Sequence, residues 1–171
     1  MPASPEDLFA YLVKLGIAVT TIDHPPLFTV EDSKALRGQI AGGHTKNLFL
    51  KDRKGKLFLV VLEEDAQVDL KRIHEIIGGN GKVSFGSADL LVEAWGVQPG
   101  AVTPFGAIND KDGRVTVVLD EALLENAVLN HHPLVNTKTT SIRREDLIAF
   151  LEATGHEPRI LAVSLDTAAS E

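Results

Sequence analysis

KNLFLKDRKGKLFLVVLE, residues Lys46–Glu63, decides the fold. Its second half carries LFLVVL at Leu57–Leu62 with no polar residue at alternate positions. A strand with one wet face alternates apolar and polar residues, so this unbroken run predicts a strand covered on both faces, with layers packed on each side of a sheet. DRKG separates it from the preceding apolar stretch, and Gly55 suits a tight reversal. The reading is a hairpin that joins a strand over Lys46–Lys51 to one over Lys56–Glu63 and forms the centre of the sheet.

Working outward, Ser4-Pro5 with Asp7 in the first turn starts a helix whose Leu8, Leu12 and Leu15 recur at helical spacing, and Gly16 ends it. Ala18–Asp23 reads as a strand, His24–Pro26 as a turn. Thr29 is positioned to cap a short helix over Val30–Leu36, with Asp32 at the capping-box position. Towards the C-terminus, Asp69–Ile77 reads as a helix, Lys82–Phe85 as a strand, and Ala88–Trp95 as a helix capped by Ser87. Val102–Asn109 and Arg114–Asp120 flank KDG, where Asp112-Gly113 favours a hairpin turn. Strands are expected near Ala127–His131 and Thr137–Ile142, then a helix over Arg143–Thr154 and a last strand at Arg159–Val163. Hairpins interrupted by separate helices predict an α+β fold with a mixed, largely antiparallel sheet.

A length of 171 residues with 44% apolar content fits one domain with one sizeable core. Residues 1–171 are accordingly read as a single domain with a frayed tail at 166–171. There is no cysteine, which removes disulfides, thiolate metal sites and a Cys nucleophile. MPASPEDLF lacks a basic segment followed by an apolar core, and Leu57–Leu62 is too short to span a bilayer. A soluble, cytoplasmic protein without membrane association is expected. The net charge of −7, from 17 Lys+Arg against 24 Asp+Glu, opposes nonspecific binding along a polyanion, so any nucleic-acid contact must be local.

Two suggestive strings fail on context. His74-Glu75 opens like a zinc-protease HExxH, but Gly78 stands where the second histidine belongs. Gly79-Asn80-Gly81 follows a helix, precedes a strand and has Ser84 in place of a third glycine, unlike a dinucleotide loop. His131 and His132 are adjacent on a predicted strand, so their side chains point to opposite faces and are poorly placed to chelate one ion. No metal and no cofactor is expected.

Three segments carry the remaining chemistry: TKNLFL at Thr45–Leu50, GAVTPFG at Gly100–Gly106 and HHPLVNTKTT at His131–Thr140. Strand alternation puts Lys46 on the face of Leu48 and Leu50, where it is either a strand-end lysine reaching water or a cation awaiting an anion. In order and spacing the three segments resemble the YbaK/ProX family, the free-standing relatives of the editing domain inserted in bacterial prolyl-tRNA synthetases, which hydrolyse misacylated tRNA. The nearest likeness is to the alanyl-tRNA(Pro) deacylases. HPPLFTVEDS at His24–Ser33 also fits that family's early pattern.

The resemblance implies a curved, barrel-like sheet and assigns roles. Lys46 would hold the terminal phosphate or aminoacyl group of the tRNA 3′ end, and Asn47 would orient it. Gly100, Ala101, Val102, Thr103 and Pro104 fit the family's G-x-x-x-P loop, whose backbone N–H groups would face a carbonyl oxygen, with Phe105 following. His132 and Asn136, of the HPxxN stretch, would line and support the aminoacyl pocket; His131 beside them keeps the choice of histidine open, although Pro133 sets the register for His132. His24 and Thr29 would shape one wall, with the short helix as a lid. The family is thought to let the terminal ribose hydroxyl of the substrate help activate water, which agrees with the lack of a Ser–His–acid or paired-carboxylate signature. The implied partner is the tRNA(Pro) 3′ acceptor end, with prolyl-tRNA synthetase as a further candidate and a monomer as the expected state. Alternatives are a deacylase for another aminoacyl-tRNA such as the seryl or cysteinyl ester, a non-catalytic tRNA- or synthetase-binding module, and a metal hydrolase using His44, His131 or His132.

Overall fold

The hairpin predicted at the centre is present. In the computed structural model, which describes residues 1–26, 35 and 40–165, β2 (Gly43–Lys51) and β3 (Leu57–Glu63) pair antiparallel from Thr45↔Glu63 to Lys51↔Leu57. Gly55 sits at φ 84°, a left-handed geometry that glycine adopts without a Cβ penalty. The Asp52 carboxylate closes the turn by accepting from the N–H groups of Lys54, Lys56 and Asn80 and from Asn80 Nδ2. Burial opposes ionisation of Asp52, but these bonds outweigh it and hold its pKa down to about 2. Leu57, Leu59 and Val61 join one apolar cluster and Phe58, Val60 and Leu62 another, so β3 is covered on both faces as its unbroken run requires.

The chain begins with α1 (Pro5–Lys14), capped by a reciprocal Ser4–Asp7 box and anchored through Leu8 and Leu12. Next in chain order come β1 (Thr20–Asp23), the β2–β3 hairpin, α2 (Ile73–Ile77), β4 (Ser84–Phe85), α3 (Ala88–Trp95), β5 (Val115–Asp120), β6 (Val128–His131), β7 (Lys138–Arg143), α4 (Arg144–Ala153) and β8 (Arg159–Leu161). The sheet runs β1-β7-β6-β2-β3-β5-β8, with β4 added to β2. Of its pairings, β1–β7, β2–β3, β2–β4 and β6–β7 are antiparallel, and β2–β6, β3–β5 and β5–β8 are parallel. The α+β class with a mixed sheet stands; the sheet is not closed, and β1 and β8 form its ends.

Several local expectations change. Val102–Asn109 is not a strand: Pro99–Ala101 and Pro104–Ile108 are 3-10 turns, because two prolines fix φ and the Trp95 indole ties down the loop between them. Asp112-Gly113 therefore joins no hairpin. It precedes β5, which runs parallel to both neighbours, while the Asp110 carboxylate accepts from the N–H groups of Arg114 and Val115. The helix expected from Asp69 begins at Ile73, and the strand expected from Lys82 shrinks to Ser84–Phe85. Thr29, the short helix over 30–36 and the tail at 166–171 lie outside the described residues.

Candidate functional site

Strand β2 carries the first two site residues on opposite faces. Lys46, paired with Leu62, shares the face of Leu48 and Leu50, and its ammonium donates to the Ala66 carbonyl. A carbonyl accepts this bond without neutralising the charge, so the cation remains available to an anion. Ala66 lines a groove of about 720 Å³ together with Glu63, Asp65, Asp120, Glu121 and Glu125. These carboxylates disfavour a run of phosphates along the groove, so an anion taken by Lys46 is a single one. Asn47 lies on the other face, where its Nδ2 donates to the Val102 carbonyl at 3.1 Å.

That bond joins β2 to the GAVTPFG loop, and the loop is held from below. Trp95, fully buried, donates from Nε1 to the Thr103 carbonyl at 2.7 Å. Gly106 lies flat against the indole: a Cβ there would stand 2.2 Å from Cδ1 and Nε1. Thr103, Pro104 and Phe105 are buried, which leaves them no surface for direct substrate contact; they anchor the loop, and exposed Gly100 and half-buried Val102 form its outer edge. The Ala101 N–H is spent on the Gln98 carbonyl. In a 3-10 turn the second N–H has no intrahelical partner, so Gly100 supplies the donor that the geometry leaves over.

The third segment closes on the second. A Cβ built on Gly100 would lie 3.3 Å from Asn136 Nδ2, so the loop and the HPLVN stretch are in contact. Within that stretch Leu134 holds a left-handed φ of 71°, a conformation costing a non-glycine residue on the order of 1–2 kcal/mol. Backbone strain of this kind concentrates at ligand-binding positions. The half-buried His132 places Nδ1 3.0 Å from the Lys138 carbonyl, which can only accept; Nδ1 therefore carries the proton and Nε2 a lone pair. Burial lowers the His132 pKa and nearby His24 lowers it further, against the Lys138 bond, which raises it. The His24 ring sits 6.2 Å from that of His132 and is bonded to the Pro25 carbonyl and to Thr139 Oγ1.

His131 is where sequence reading falls short. It is buried, bonds through Nδ1 to Thr45 Oγ1 at 2.9 Å and packs edge-on against Phe105 at 5.9 Å. Burial, then the neighbouring His132, holds its pKa down to about 3, so the ring is neutral at physiological pH. The register of the HP pair directs attention to His132 and away from it; the available signal is Thr45, on the same face of β2 as Asn47. The structure thus links Asn47 to Val102 and Gly100 to Asn136, sets His24 beside His132, adds His131 bonded to Thr45, and leaves Lys46 on the opposite face of β2. No group of three or more His, Asp or Glu side chains suited to a metal ion occurs among the described residues.

In this open α+β sheet a glycine turn meets both an Asn-bearing strand and a strained His-Pro loop. The chain belongs to the aminoacyl-tRNA editing domain family, whose pattern it matches over residues 24–150. It is 37% identical over 150 residues to the prolyl-tRNA editing protein ProX of Acetoanaerobium sticklandii, covering 87% of this chain and 91% of that one. It is 36% identical over 159 residues to the prolyl-tRNA synthetase associated domain-containing protein 1 of Danio rerio, covering 92% and 86%. A solved structure described as a candidate trans-editing enzyme for prolyl tRNA synthetase superposes with a TM-score of 0.70 at 20% identity, covering 94% of this chain and 98% of that one; it shows the shared fold.

Proposed function

We propose that this protein is a trans-acting hydrolase that cleaves the ester of mischarged tRNA, with alanyl-tRNA(Pro) as its substrate. The observation that carries the reading is the Gly100–Gly106 loop joined to Asn47 through Val102 and to Asn136 at Gly100, in a chain of the editing family. The relative named as a prolyl-tRNA editing protein supports the proline system, and the synthetase-associated relatives support prolyl-tRNA synthetase as a partner.

In this account water adds to the ester carbonyl, the Gly100 N–H stabilises the resulting oxyanion, and the carbon–oxygen bond to the ribose breaks to release alanine and free tRNA. Asn47 holds the Val102 carbonyl and with it the height of the loop, and Asn136 packs beside Gly100. Lys46 exchanges the Ala66 carbonyl for the terminal phosphate and so docks the 3′ end. The chain's residues position, desolvate and exclude, while the terminal ribose hydroxyl of the substrate helps activate the water. Such a site meets a physical need, since a synthetase pocket sized for proline rejects the smaller alanine by only tens to hundreds-fold. The test is a deacylation panel of alanyl-, prolyl-, seryl- and cysteinyl-tRNA with the purified protein. Turnover of the alanyl ester above the others supports the assignment; preference for the seryl or cysteinyl ester moves it to another aminoacyl-tRNA, and no turnover of any leaves a binding module.

A further inference from the structure

Two buried acceptor atoms on the Asn47 face have no hydrogen-bond partner among the described residues: Asn47 Oδ1 and His131 Nε2. Their identities follow from their neighbours. The Val102 carbonyl can only accept, so the Asn47 atom bonded to it is the amide nitrogen, and the oxygen is left over. Thr45 Oγ1 lies 2.8 Å from the Asn130 carbonyl and 2.9 Å from His131 Nδ1. Its single proton goes to the carbonyl, so Nδ1–H donates to the hydroxyl and His131 Nε2 carries the lone pair.

Both atoms belong to one closed circuit of contacts. Thr45 and Asn47 are two residues apart on β2 and share a face. Thr45 holds His131, His131 packs on Phe105, Phe105 continues the loop from Val102, and Val102 returns to Asn47. A buried acceptor left unsatisfied is costly, and a ligand group carrying at least two N–H donors matches two of them.

Resting on the deacylase reading, we infer that Asn47 Oδ1 and His131 Nε2 form an acceptor-only subsite for the α-amino group of the aminoacyl ester, making His131 a specificity-determining residue. An amine supplies both bonds. A hydroxyl in the same place has one proton and leaves one acceptor bare.

The test compares alanyl-tRNA(Pro) with the near-isosteric lactyl-tRNA(Pro), in which hydroxyl replaces amine, each rate being divided by that ester's uncatalysed hydrolysis. The wild-type enhancement should be about tenfold larger for the alanyl ester, the worth of one hydrogen bond with its burial penalty. His131→Leu should bring that ratio close to one by slowing the alanyl ester, with the fold checked by a thermal melt. Independently of any variant, the His131 Nε2 resonance of ¹⁵N-histidine-labelled wild type should move on adding saturating 3′-alanylamino-3′-deoxyadenosine and stay near its free position with the lactylamino congener. Equal enhancement of the two esters, or an unmoved resonance, as expected if these atoms hold only a structural water, overturns the inference and leaves the deacylase reading standing. Failure to hydrolyse alanyl-tRNA(Pro) at all overturns both.

Discussion

Trp95→Phe removes the one indole hydrogen bond that ties the Gly100–Gly106 loop to α3. The Thr103 carbonyl, now 2.7 Å from Nε1, is left in a region where Trp95, Thr103 and Phe105 have no solvent exposure. Stranding such a carbonyl costs about 1–3 kcal/mol, and the smaller ring leaves a gap against Gly106 and His156 worth about 1 kcal/mol more. The sum is about 3 kcal/mol, which for a domain of this size lowers Tm by roughly 6–12 °C. Urea unfolding followed by circular dichroism measures the first quantity and a thermal melt the second. Because the same bond sets the position of Val102 and Gly100, the single-turnover deacylation rate of the folded variant should fall about tenfold, as a misplaced oxyanion donor requires. An unfolding free energy within about 0.5 kcal/mol of wild type would refute the claim that the indole anchors the loop.

Lys46→Ala should leave the fold intact and lower the deacylation rate about a hundredfold, near 3 kcal/mol, with Lys46→Arg rescuing poorly because a planar guanidinium points its donors differently; wild-type rates in folded Lys46→Ala would reduce this lysine to a strand end bonded to Ala66. Stability should fall as pH drops from about 6.5 toward 3, since the unfolded chain protonates His131 while the folded ring resists until about 3; the slope is at most about 1.4 kcal/mol per pH unit, and urea titrations at pH 6.5, 5.5 and 4.5 should show it flattened in His131→Phe. Asp52, held down to about 2, adds a further loss below about pH 3.8, absent from Asp52→Ala, which should already be less stable by about 2 kcal/mol at neutral pH. Activity should survive exhaustive chelation, and loss that Zn²⁺ restores would favour a metal hydrolase instead.

What could be read in advance followed from rules that act over a few residues. LFLVVL announced a doubly covered strand because burial on both faces removes alternation, and Ser4, Ser87 and Gly55 marked their cap and turn positions through local hydrogen bonding and φ preference. Val102–Asn109 misled because its apolar, β-branched start mimics a strand, while the long-range Trp95–Thr103 bond and the close seat of Gly106 decide the conformation. The parallel pairing of β5 with β3 and β8 is set by crossovers that no local pattern encodes. In the candidate site, the order of the three segments pointed to Asn47, Gly100, His132 and Asn136, and strand alternation anticipated the face of Lys46. The burial of Thr103, Pro104 and Phe105, the spent Ala101 N–H and the place of His131 beside Thr45 depend on contacts between distant residues.

The central claim is size-selective editing on one tRNA. Its most direct test is the single-turnover deacylation of alanyl-tRNA(Pro) and prolyl-tRNA(Pro) by the same enzyme preparation, each corrected for spontaneous hydrolysis. The account predicts rapid loss of the alanyl ester and a prolyl ester that decays at its uncatalysed rate; equal or faster loss of the prolyl ester would contradict it.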